Sequence, residues 1–398
     1  MSESVSTSLR TYEQAFSVPF DYPVHFGRDL LGVENDLLAT VLERRGGTRP
    51  HKLMVFVDAG LSEARPGLVQ AVRAWTERRP SLVATPESPL LVSGGEHAKN
   101  GWSDVRRVME ALGRHHICRQ STVLAIGGGS VLDMVGFAVS IVHRGVRLIR
   151  MPTTVLSQCD GGVGVKTGMN EHSVKNFAGT FAPPFAVLND ASLLTTLPQP
   201  HWIGGVAEAF KVAAIKDADF LDWLVVYAAR LRDRDLDLME QAVYRSAVLH
   251  LEHIRRGNDP FEFGSSRPLD FGHWAAHQIE VMSSFAMGHG QAVAVGVALD
   301  TVYAAYAGFV AEADMRRLVS GLLACGLPVW HESLERRSGA GAPAIFDGLE
   351  AFREHLGGSL TLAMPCPFGK QREIHEVDRA CMERAMGWLK TVQQGQTT

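Results

Sequence analysis

The stretch that most constrains this chain is residues 121–145, STVLAIGGGSVLDMVGFAVSIVHRG. It reads as an apolar strand, a triple-glycine turn and a long apolar helix. A strand with no polar alternation suits a sheet covered on both faces, which means parallel pairing between helical layers. The glycines allow a tight entry into a helix whose first N–H groups point outwards as donors. HKLMVFVDAG (51–60) and LIRMPTT (148–154) carry the same buried-strand pattern, and WSDVRRVMEALGRHHI (102–117) has helical spacing between them. Strands alternating with helices predict a doubly wound, Rossmann-like α/β unit with a ligand at the carboxyl ends of the strands.

From about residue 190 the pattern becomes helical, in the stretches 201–231, 238–256, 273–286 and 290–310. Pro183-Pro184 and the strand-like FAVLND (185–190) mark a hinge. With 398 residues the chain accommodates an α/β domain over 1–186 and a mostly helical one over 187–398, and a cleft between them is a natural active site. Hydrophobic residues at 46% and charged residues at 21% exclude disordered and fibrous classes. A net charge of −4 with no basic arm argues against nucleic-acid and membrane partners, so an anionic ligand must meet a local basic cluster. Five scattered cysteines without a C-x-x-C pair fit a reducing cytoplasm better than disulfides or a thiolate zinc site. No signal peptide or membrane helix is expected, and the tail from 390 is expected to fray.

Four groups carry chemistry. Gly127-Gly128-Gly129-Ser130 with Asp133 opens a helix and suits a pyrophosphate, although the G-x-G-x-x-G fingerprint is absent. Ser93-Gly-Gly-Glu96-His-Ala-Lys99 is a turn with a carboxylate and an ammonium three residues apart. Arg144, Thr153, Thr154, Asp160, Lys166, Asn170, Lys175 and Asn176 form a dense set that reads as a loop able to hold phosphate. It is no Walker A loop, since no glycine precedes Lys166. Glu208 and Lys211 share a helical face at i, i+3, His273 and His277 share another at i, i+4, and His289 precedes an apolar helix. One carboxylate with two of these imidazoles would make a catalytic-type zinc set with a position left open for substrate.

The run PTTVLSQCDGGVGVKTGMNEHSVKNFAGTF (152–181), with GGEHAK before it and VAEAFK, FGHWAAH and GHGQAVAVG after it, resembles the dehydroquinate synthase superfamily, the sugar phosphate cyclases. The resemblance runs from about 51 to 300 with the motifs in order. It implies an NAD-binding Rossmann-like domain, a helical domain holding one divalent metal, zinc or cobalt, and a homodimer. It places the metal on Glu208, His273 and His289. NAD would fall on Asp58, Glu96, Lys99, Gly128, Gly129, Asp133, Thr153, Thr154, Asp160, Lys166, Lys175 and Thr196. The sugar phosphate would meet Arg144, Asp160, Lys166, Asn176, Lys211, Asp270 and His277.

Departures from the resemblance bear on the substrate. Dehydroquinate synthases hold a substrate carboxylate with a lysine upstream of R-x-x-L-N-L-G-H. Here that run is Arg267-Pro-Leu-Asp270-Phe-Gly-His273, and no lysine occurs between Lys216 and Lys370. Glu252 or His253 falls near the missing lysine, and Arg256 offers a substitute. A buried carboxylate without a cation costs several kcal/mol, so the expected substrate lacks one. The R-P-x-D-F-G-H form and the segment around His355 look like the sedoheptulose 7-phosphate cyclases, which make valiolone-type cyclitols, and the N-terminal FSVPFDYPVHFGRDLL resembles the EboD-type branch. The 2-epi-5-epi-valiolone synthases carry proline where this chain has His277, which leaves a 2-epi-valiolone synthase open. The rival readings are 3-dehydroquinate synthase and a metal-dependent polyol or alcohol dehydrogenase.

Overall fold

The computed structural model describes residues 10–172, 174–257, 259–264, 267–339 and 341–395, with the His355 side chain outside that set. The expected apolar runs become strands β1 (Val24–Gly27), β2 (His51–Asp58), β3 (Val83–Ala84), β4 (Leu90–Val92), β5 (Thr122–Gly127) and β6 (Arg147–Pro152). An antiparallel hairpin, β7 (Lys166–Glu171) and β8 (Val174–Phe181), precedes β9 (Ala186–Asp190). The main sheet is parallel throughout, in the order β1-β9-β6-β5-β2-β3, with β4 also beside β2. After β2 the chain goes to one edge and then returns to β5 on the other side of β2. That reversal is the switch point where α/β sheets open a ligand crevice. The register puts Ile126 beside Val57 and Gly127 beside Pro152. Asp58, the glycine turn and Thr153-Thr154 therefore leave the sheet side by side.

The second half packs around one apolar core. Its helices are Gln199–Gly204, Val206–Lys216, Ala218–Arg232, Leu236–Arg256, His273–Met282, His289–Tyr306, Glu312–Ala324, Asp347–His355 and Arg379–Gln393. The stretch 201–231, expected as one helix, is broken twice. At Gly205 the chain crosses the Val155–Cys159 helix so closely that a Cβ would lie 2.2 Å from the Leu156 nitrogen. Asp217 then caps the next helix by accepting from the Phe220 N–H at 2.8 Å. The two histidine-bearing helices meet backbone to backbone, since a Cβ on Gly296 would lie 2.0 Å from the Gly272 carbonyl oxygen.

Three expectations change. The basic segment 160–176 is not a loop but enters the β7–β8 hairpin, whose strands carry too many glycines and polar residues to show alternation. FAVLND is no free hinge, because β9 lies between β1 and β6, and the sheet continues to Asp190, past the boundary expected after 186. The C-terminal helix runs to Gln393, with Leu389 buried and the Gln393 side chain accepting from the Val329 N–H at 2.9 Å. Among the described residues, no helix is long and apolar enough to cross a membrane.

Candidate active site

The glycine turn begins the site. Gly128 caps the Gly129–Ile141 helix with no side chain of its own, and a Cβ at Gly129 would meet nothing within 4 Å. That clearance at Gly129 leaves room for a ligand beside the first N–H groups of the helix, a fit for a phosphate. Asp58 ends β2 and turns its carboxylate back onto the Gly60 and Leu61 N–H groups at 2.9 and 3.3 Å. Thr154 caps the Val155–Cys159 helix in a reciprocal pair with Ser157, while Thr153 is buried beside it. Thr196 closes the turn after β9, its hydroxyl donating to the Leu193 carbonyl at 3.0 Å.

The GGEHAK turn docks against this helix and the hairpin. Buried Lys99 bridges Asp133, at 2.7 Å, and the Asn176 side chain. Glu96 accepts from Ser130 at 3.2 Å and Asn170 at 2.9 Å, with Lys175 at 4.0 Å. Three sequence motifs more than 30 residues apart therefore share one polar wall, with paired rather than solvated charges.

Glu208 lies opposite, 1% exposed on the Val206–Lys216 helix. Its Oε1 is 3.8 Å from His273 Nε2 and 3.5 Å from His289 Nε2. Neither carboxylate oxygen has an aligned hydrogen-bond donor, although Lys211 Nζ approaches Oε2 at 2.7 Å as an ion pair. A buried carboxylate left with lone pairs to spare beside two imidazoles is what a divalent cation needs. One ligand atom from each residue lies within 4.8 Å of the others. Burial alone would push the Glu208 carboxyl up, but Lys211 leads the groups that overcome it and hold it at about 2. His277, Glu280 and His289 form a second such group. Glu280 is joined by His289 Nδ1 at 3.2 Å and Lys175 Nζ at 2.6 Å, so one carboxylate orients both.

Lys211 is buried between Glu208 and Asp160, the latter at 3.9 Å. Burial works against its ammonium, yet the two carboxylates raise its pKa above the usual lysine range. Asp160 also meets His250 Nδ1 at 2.5 Å. The His277 ring sits 5.4 Å from His273 and 5.9 Å from His289, centroid to centroid. It is exposed to the cleft.

The basic set predicted from the sequence does not stay together. Lys175 and Asn176 join the wall described above, but Lys166 is turned away to Glu262, at 2.5 Å. Arg144 is exposed at the far end of the Gly129–Ile141 helix, about 20 Å of helical rise from the glycine turn, and does not join the others within one chain. Arg256 is also no substitute for the missing lysine, because it is exposed and paired with Glu252 at 2.5 Å. His250, Glu262 and Glu280 were not expected. Glu280 was legible at i+3 from His277 and i+7 from His273, whereas His250 and Glu262 carry no local signal.

Asp300 supports this centre from behind. It is 1% exposed and accepts from the Gly272 N–H at 3.1 Å and the Trp274 indole at 2.9 Å, bracketing His273. Burial pushes its carboxyl from 3.8 up to about 7, with the two hydrogen bonds opposing. The folded protein thus keeps a proton that the unfolded chain releases. That contribution is complete below about pH 4 and is lost as the pH rises through about 7, at most about 4 kcal/mol. Asp300→Asn should remove it. The stability difference between variant and wild type should then drift between about pH 4 and about pH 7 in denaturant titrations, and a constant difference would refute the assignment.

Residues 89–204 match the model for the 3-dehydroquinate synthase N-terminal domain, and residues 205–341 match that for its C-terminal domain. The chain is 36% identical over 242 residues to a 3-dehydroquinate synthase of Geobacter sp. (strain M21), covering 61% of this chain and 66% of that protein. Among solved structures it is similar to the 2-epi-5-epi-valiolone synthase ValA of Streptomyces hygroscopicus subsp. jinggangensis 5008, described with NAD+ and Zn2+ bound. There the identity is 26%, the TM-score 0.83, and the coverage 96% of this chain and 100% of that one. A 2-deoxy-scyllo-inosose synthase complexed with carbaglucose-6-phosphate, NAD+ and Co2+ shares the fold at 21% identity and a TM-score of 0.71, over 91% and 95% of the two chains.

Proposed function

Because this chain belongs to the 3-dehydroquinate synthase family, we propose that it is an NAD- and divalent-metal-dependent sugar phosphate cyclase. Its substrate is sedoheptulose 7-phosphate, and its product a valiolone-type C7 cyclitol. The observation that carries the reading is the set of buried Glu208 and His273 with half-buried His289, beside the Lys211–Asp160–His250 network. The lysine-free span between Lys216 and Lys370 supports a substrate without a carboxylate.

Glu208, His273 and His289 would hold the ion. The wall of Asp58, Glu96, Lys99, Gly128, Gly129, Asp133, Thr153, Thr154, Lys175 and Thr196 would hold the dinucleotide. When bound, NAD would supply reversible hydride transfer at a ring carbinol and the ion Lewis acidity at the oxygen concerned. In between, the substrate loses a proton beside the ketone and its C–O bond to phosphate breaks. The hemiketal C–O bond then breaks, releasing a ketone and an enolate, and the enolate carbon adds to that ketone to close the carbocycle, its oxyanion taking up a proton. Lys211, fixed by two carboxylates, presents a permanent positive charge to a developing oxyanion or a phosphate oxygen. His277 is exposed beside the metal set, and Asp160 orients His250, so each can move a proton.

Incubation with NAD, zinc and sedoheptulose 7-phosphate should release phosphate with no net NADH. Net NADH from a simple polyol without phosphate would instead establish a dehydrogenase. A second reading, 3-dehydroquinate synthase, is favoured by the 36% identity to the Geobacter protein. Growth of a strain lacking that enzyme, rescued by this chain, would select it.

A further inference from the structure

A cavity of about 250 Å³ opens beside the site, lined by Lys216, His253, Asp259, Glu262, Arg267 and Asp270. Asp270 links it to the centre. Burial would raise this carboxyl, but His273, Lys166 and Lys211 hold it below its ordinary range. Two lining cations, Lys216 and Arg267, together with Lys166 ion-paired to Glu262, balance three carboxylates, Asp259, Glu262 and Asp270. His253 adds no charge near neutrality, because burial, with Lys216 beside it, pushes the ring down to about 4. The cavity thus carries no net positive charge to draw in one more anion.

Glu262 is the carboxylate that pairs with Lys166 and Arg267. Its Oε2 lies 2.5 Å from Lys166 Nζ and 3.4 Å from Arg267 Nη1. The loop is built to hold it there. The Asp259 carboxylate accepts from the Phe263 and Gly264 N–H groups at 2.8 and 2.7 Å, and the Glu262 N–H donates to the Asp259 carbonyl at 3.1 Å. Glu262 itself adopts φ +52°, a left-handed conformation that a glutamate takes only when its surroundings impose it. On either side, Phe261 stacks on Phe181 at 5.0 Å and Phe263 packs against it at 6.4 Å.

We propose that Glu262 is a specificity-determining residue: a built-in carboxylate on Lys166 and Arg267 that keeps a carboxylate-bearing sugar phosphate out and admits one whose other substituents are uncharged. The proposal rests on the cyclase reading above. It accounts for the substrate choice by a charge that is present, where the lysine-free span accounts for it only by charges that are missing.

Wild type and Glu262→Gln are compared in phosphate release from sedoheptulose 7-phosphate and from a 3-deoxyheptulosonate 7-phosphate, whose C1 is a carboxylate. Calorimetric binding of the second compound is measured alongside. Glutamine keeps the shape, so a difference reports charge. The ratio of kcat/KM for the carboxylated to the uncharged sugar should rise roughly tenfold or more in the variant, and the Kd of the carboxylated sugar should fall by a similar factor. A ratio and Kd unchanged within about twofold overturn the proposal and leave the cyclase reading standing. A wild type that turns over only the heptulosonate overturns both. If neither sugar releases phosphate, the reading of the substrate fails, and the Kd comparison still decides the role of Glu262.

Discussion

Glu208→Gln is expected to abolish retention of a divalent ion while leaving the chain folded. Glutamine fills the same buried space on the same helix, so packing in the core around Ala207 and Phe210 is kept. What goes is the only anion of the three-residue set and the electrostatic reason for a cation to sit between His273 and His289. Loss of an outer hydrogen-bond partner alone costs about 10–100-fold in metal affinity, so loss of a ligand should exceed roughly 100-fold. After dialysis against zinc, elemental analysis should find stoichiometric metal in the wild type and almost none in the variant. Phosphate release should fall by roughly a thousandfold or more. NAD binding, followed by fluorescence quenching, should persist, because the glycine turn lies on the other side of the cleft. A variant that keeps stoichiometric zinc would remove Glu208 from the metal set.

Lys211→Met is expected to be the most damaging single change to the unliganded protein. It strips the ammonium from Glu208 at 2.7 Å and Asp160 at 3.9 Å, leaving buried carboxylates short of a cation. Breaking a buried pair from one side costs about 3–5 kcal/mol. His250 still serves Asp160, so Glu208 bears most of the loss. A divalent ion would return positive charge to Glu208, and zinc should therefore raise the thermal midpoint of the variant by more than that of the wild type. Turnover should nevertheless stay down by roughly a hundredfold or more with zinc present, since the fixed charge facing the substrate is gone. Equal zinc-induced shifts in the two proteins would show that Lys211 does not balance the metal-site carboxylate. Near-normal turnover would remove it from the chemistry.

The parts of the site that were legible from the sequence are those whose chemistry is local. VLAIGGGS announces a strand, a turn and a helix N-terminus within eight residues, and the fold keeps all three. Glu208 and Lys211, or His273 and His277, are neighbours because a helix makes i, i+3 and i, i+4 positions adjacent. The helix breaks at Gly205 and Asp217 were less legible. Gly205 is needed for its approach to a segment 50 residues earlier in the chain, which no local pattern records. The hairpin at 166–181 was hidden by its polar and glycine-rich strands.

Residue types and spacings in the chain determined by themselves the doubly wound unit, the helical second half, the family resemblance and the residues able to hold an anion or a metal. Covalent neighbours and helical periodicity suffice for that much. Only the tertiary structure decided which of those residues meet. It brought Glu208, His273 and His289 together from three helices, set Glu280 behind His289 and His250 against Asp160, and gave Lys166 to Glu262 while leaving Arg144 apart. The reason is the range of the forces involved. Propensity and capping act within a few residues, whereas an ion pair or a metal set depends on distances that packing imposes between segments far apart in the chain.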